Sequence, residues 1–109
     1  MNEKLKIINK KISEAESKGI IPIDLYREQL SILESAHSEF ISKAQSAGYD
    51  LDNSVDILEV EVKQFSAMKQ VAQKIGMDTK KYDNLIRDAR IRVFGEEAVN
   101  QVFPNRQSD

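Results

Sequence analysis

Residues 23–48 read IDLYREQLSILESAHSEFISKAQSAG, and the spacing within them decides the fold. Tyr26, Leu30, Leu33, His37, Phe40, Ala44 and Ala47 recur at alternating steps of four and three. That 3.5-residue period puts all seven on one side of a helix. Gly48 closes the stretch. Pro22 precedes it, holding Ile21 extended and offering no N–H, while Asp24 sets a carboxylate in the first turn. Upstream, Leu5, Ile8, Ile12 and Ala15 step by three, four and three, and Gly19 ends that pattern. Two such stripes joined by a short proline-containing connection predict an antiparallel helical hairpin over residues 1–48. Its seam can be filled from within the chain or by a second copy, and a homodimer through this hairpin is expected.

Residues 49–56 make a polar break. The next helix starts near Asn53 or Ser54, with Asp56 in its first turn and Val55, Leu58, Val62, Phe65, Ala72 and Ile75 along one face. Nothing as strong as glycine or proline interrupts 55–75, although Ser66 offers a restart as an N-cap. Gly76 ends the helix, and Asp78 and Thr79 open another that carries Tyr82, Leu85, Ile86, Ala89 and Val93 on one face. Gly95 permits a last short helix through Val99, Val102 and Phe103, stopped by Pro104. Residues 104–109 read as a frayed polar tail. The expected fold is therefore a single all-α domain of four to five helices, a hairpin (1–48) followed by a second helical unit (53–103).

Composition narrows the function classes. The chain has 109 residues, no cysteine, and 6% aromatic residues. One domain of that size buries a modest core. The lack of cysteine excludes disulfides and thiolate metal sites and suits a reducing compartment. No apolar run approaches the roughly 18 residues a membrane span needs, and the start Met1-Asn2-Glu3-Lys4-Leu5-Lys6 lacks the apolar centre of a signal peptide. A cytoplasmic protein with no membrane partner is expected.

The net charge of −2 conceals an uneven distribution. Residues 1–62 carry seven basic and twelve acidic groups, a balance of −5. Residues 63–92 carry eight basic and three acidic groups, a balance of +5. A cationic stretch inside an acidic chain is a candidate contact for nucleic acid or for an acidic protein surface.

Within that stretch, residues 68–87 read MKQVAQKIGMDTKKYDNLIR. They resemble the helix-turn-helix of bacterial and phage DNA-binding regulators. Ala72 stands where that motif needs a small residue, Gly76 takes the turn four positions on, and Val71, Ile75, Met77, Tyr82 and Leu85 take the apolar positions. The resemblance implies a small DNA-binding protein acting in transcription regulation. Burial of Tyr82 and Leu85 would turn Thr79, Lys80, Asn84 and Arg87 outward. Asparagine pairs with adenine and arginine with guanine, while Lys69, Lys74, Lys80 and Lys81 would neutralise phosphates. The motif's first helix is short, so a break at Ser66 would complete the pattern. The same residues also suit a plain helix–glycine–helix corner. In that case the chain is a non-enzymatic interaction module, an adaptor, inhibitor or immunity-type protein of a phage or mobile element.

Asp50, Asp52, Ser54, Asp56 and Glu61 occupy the first, third, fifth, seventh and twelfth places of an EF-hand-like calcium loop, but Val55 replaces the glycine its turn requires. The lone His37 lies on the apolar stripe of the hairpin, where it reads as a seam residue fixing register or as a pH-sensitive contact rather than a metal ligand. Glu96 and Glu97 read as the acidic first turn of a helix. No nucleophile elbow, phosphate-cradling loop or histidine–glutamate metal motif is present, so no enzyme activity and no cofactor are expected.

Overall fold

The proline, glycine and polar breaks divide the chain into five helices, α1 Glu3–Ser17, α2 Ile23–Ser46, α3 Val55–Ile75, α4 Lys80–Phe94 and α5 Glu96–Val102. The structure is a computed structural model and describes residues 3–104, among which there is no strand. The chain is all-α. Three of the four connections begin with the same device. After α1, α2 and α3 the backbone N–H of the residue following glycine donates to a carbonyl five residues back, at 3.0–3.1 Å, as in Ile20 to Ala15, Tyr49 to Ala44 and Met77 to Ala72.

Each helix packs on the next one, α1 on α2, α2 on α3, α3 on α4 and α4 on α5, and no other pair of helix backbones comes close. The result is a layer whose smallest extent is 15 Å, little more than one helix diameter. The core runs along this layer as a seam. Ile8 and Ile12 of α1 meet the α2 side bearing Tyr26 and Leu30, and Leu58, Phe65, Met68, Val71 and Ala72 of α3 continue it toward Tyr82 and Ala89 of α4. The hairpin is tied by polar bonds as well. Tyr26 donates to Glu16 at 2.6 Å and Gln29 to Asn9 at 2.8 Å. Of the α2 stripe, Tyr26, Leu30 and Ala44 are buried within the chain, Leu33, His37 and Phe40 are half-buried, and Ala47 is exposed.

Some expectations change. Val55 is 45% exposed, because α3 starts one residue after its cap Ser54 and the first inward position falls to Ile57. The helix shows no break at Ser66 and runs unbroken for 21 residues. Of the residues expected along the last helix, Val99 is buried, but Val102 and Phe103, the latter just past the end of α5, are 68% and 42% exposed. The tail beyond Pro104 lies outside the described residues.

Candidate interaction surface around the Gly76 corner

Gly76 closes α3 with φ +82°, in the left-handed region that glycine enters freely. Met77, Asp78 and Thr79 follow, and the Asp78 Oδ1 accepts the Lys80 backbone N–H at 3.0 Å, satisfying one of the free donors at the start of α4. Ala72, with no exposed surface, lets α4 approach α3, and Tyr82 is 1% exposed behind the corner. The Tyr82 hydroxyl is buried without a hydrogen-bond partner. Burial pushes its pKa up, Glu34 adds to the shift and Lys81 opposes it. The Tyr26 phenol also lies above its ordinary value, chiefly because it donates to Glu16. Met77, expected to hold α4 against α3, is instead 44% exposed. Gly76 reverses the chain just before it, and the reversal carries its side chain past the seam.

The seven residues singled out as a DNA face divide by burial and by partner. Lys74, Lys80, Lys81 and Asn84 are exposed, whereas Lys69, Thr79 and Arg87 are half-buried. Lys69 reaches Asp83 at 2.7 Å, Lys81 lies 3.7 Å from Glu34 on α2, and Lys74 sits over the Tyr26 ring. Arg87 donates to the Phe103 carbonyl at 3.1 Å and to Asn100. Of the other cations in the basic stretch, Arg90 stacks on Phe103 and Arg92 binds Glu61. Six of the eight basic residues of 63–92 therefore meet a partner inside the chain. The acidic and basic segments that sequence counting separates are brought together by the fold.

Among the described residues Glu61 is the one charged residue within the core, 3% exposed. One carboxylate oxygen meets Arg92 of α4 and the other lies 3.0 Å from His37 Nε2 on α2. Arg92 also donates through Nε to the Leu51 carbonyl at 3.1 Å, fixing the α2–α3 connection. His37 is thus a seam residue, packed on Phe65 with ring centroids 4.6 Å apart. This arrangement overturns the calcium-loop reading. Glu61, the would-be twelfth ligand, points into the helix layer toward Arg92. Ser54 accepts the Ile57 N–H as the α3 cap, and Asp50 accepts from Asp52 N and Asn53 Nδ2. Among the described residues no group of three or more potential ligands could hold a metal. The sequence carried a signal for Glu61. It lies three residues after Leu58 and four before Phe65, on the apolar stripe, where a charge needs a buried partner.

Large apolar side chains remain outside at both ends of the layer. Because Lys74 lies over Tyr26, the connections 18–22 and 76–79 share one end, which presents Ile20, Ile21 and Met77 at 55%, 73% and 44% exposure. Lys18, Asp24, Lys74, Asp78 and Lys80, in or next to these connections in the chain, are exposed as well. The opposite end, joined by Arg92 and Leu51, exposes Tyr49, Val55 and Phe94. No helix among the described residues is long and apolar enough to cross a membrane. No protein-family model, no curated protein and no solved structure matches the chain.

Proposed function

We propose that this protein is a non-enzymatic helical interaction module whose contact surface is the end formed by the connections 18–22 and 76–79. The observation that carries this reading is the exposure of Ile20, Ile21 and Met77 in two connections that share one end of a layer 15 Å thick. An apolar centre rimmed by charged groups is the usual anatomy of a protein contact. The internal pairing of Lys69, Lys81 and Arg87 supports it, since those cations serve helix packing first.

A second reading, DNA binding through α4, draws on the exposure of Lys74, Lys80, Lys81 and Asn84 beside a glycine turn. One pair of experiments separates the two. Photo-crosslinking groups placed at Ile21 and Met77 in cells that make the protein should capture one dominant partner, and a group at Ser42 should not. Capture at all three sites, or at none, would count against the interaction reading. Fluorescence polarisation with random duplex DNA at two salt concentrations should show no saturable binding. Salt-sensitive binding that Lys74→Ala and Lys80→Ala weaken would transfer the function to DNA.

A further inference from the structure

Arg87 and Arg90 flank a cleft that the proposed contact end does not use. It has a volume of about 280 Å³ and lies between α3, α4 and α5, with Val62, Ile86, Val99 and Phe103 among its walls. That volume is near the lower limit of roughly 300 Å³ for small-molecule sites. The two arginines are held in different ways. Arg87 is fixed by its bonds to Asn100 and the Phe103 carbonyl. Arg90 lies with its guanidinium 3.9 Å from the Phe103 ring centroid, and among the described residues it has no hydrogen-bond acceptor. Contact with the ring is not a hydrogen bond and leaves the guanidinium its N–H donors, which can receive a carboxylate through two parallel bonds. Asp83, the acid at the same cleft, is taken by Lys69 at 2.7 Å.

We infer that this cleft binds a compact apolar monocarboxylate, with the carboxylate on Arg90 and the apolar body against Val62, Ile86 and Val99. Arg90 is the one arginine of the cleft without a bonded acceptor among the described residues, which suits a single carboxylate rather than a phosphate dianion, and the apolar walls disfavour a small hydrated anion. A free aryl or alkyl carboxylate and the C-terminal residue of a peptide share this chemistry. The cleft is formed by other residues than the Ile21–Met77 end, so its occupancy and the interaction reading stand or fall separately.

The test is a titration of backbone amide resonances with 3-phenylpropanoate, with the acetylated peptide Ala-Ala-Phe as free acid and as amide, and with phenyl phosphate. Saturable shifts in α4 and α5 are expected with the carboxylates, and weaker ones with the amide and phenyl phosphate. Arg90→Gln should weaken binding by about tenfold or more, the cost of one charge-assisted bidentate contact. Ser66→Leu, which fills the cleft and leaves both arginines in place, should abolish binding, with helical circular dichroism confirming that each variant folds. Tighter binding of the peptide acid than of 3-phenylpropanoate identifies a chain terminus as ligand, and the reverse order identifies a free acid. Absence of saturable shifts with either carboxylate overturns the inference. So does equal binding of acid and amide, or binding that Arg90→Gln and Ser66→Leu leave unchanged.

Discussion

The two ends of α4 carry the same charge and do different work. At its start, Lys80 and Lys81 stand in water, and the Lys81–Glu34 pair, 3.7 Å apart, joins side chains 61% and 47% exposed. Near its close, Arg92 is 29% exposed and grips a Glu61 side chain that is 4% exposed. An exposed pair gains little, because water and salt screen it and two flexible chains must be held still. A buried carboxylate without its partner is costly, because desolvation is then uncompensated. Residue type follows the same division. Arginine serves where several acceptors must be met at once, as Arg92 meets Glu61 and the Leu51 carbonyl, and lysine where a hydrated point charge is enough.

The largest effect should come from breaking the inner pair. Arg92→Met is expected to destabilise the chain by about 3 kcal/mol, since it strands Glu61 with His37 alone. Urea unfolding measures this, and the double variant Glu61→Met with Arg92→Met should recover most of the loss. A cost under about 1 kcal/mol would place the pair with ordinary surface contacts. The corner between the two regions is next. Gly76→Ala should cost about 1–2 kcal/mol from the backbone alone, because an added Cβ would meet no atom within 4 Å. A much larger loss would reveal a packing role for the turn. The smallest effect belongs to the outer pair. Lys81→Ala should change stability by less than about 0.5 kcal/mol, and the difference should vanish in high salt. A larger change would show that this contact, too, holds α4 to α2.

Much of the fold was legible because it is written in local rules. The 3.5-residue stripe of 26–47, the proline at 22 and the glycines at 19, 48, 76 and 95 mark the helices, and each acts through its own backbone or face. The site was less legible. Lys69, Lys81 and Arg87 looked free because their partners Asp83, Glu34 and Asn100 are 14, 47 and 13 residues away. Glu61 could be placed in a calcium loop because its spacing from Asp50 fits one. Only the position of Arg92, 31 residues on, shows what the carboxylate is for.

By itself, then, the sequence determined that this is an all-α chain of four to five helices broken at its glycines and its proline, since backbone preference and apolar period act over a few residues. The tertiary structure alone decided which charges are spent inside and which remain outside. Pairing between distant residues depends on which helices lie side by side, and a one-layer arrangement of consecutive helices brings an acidic segment against a basic one while leaving apolar ends uncovered. The proposed contact surface rests on that geometry rather than on the count of lysines and arginines.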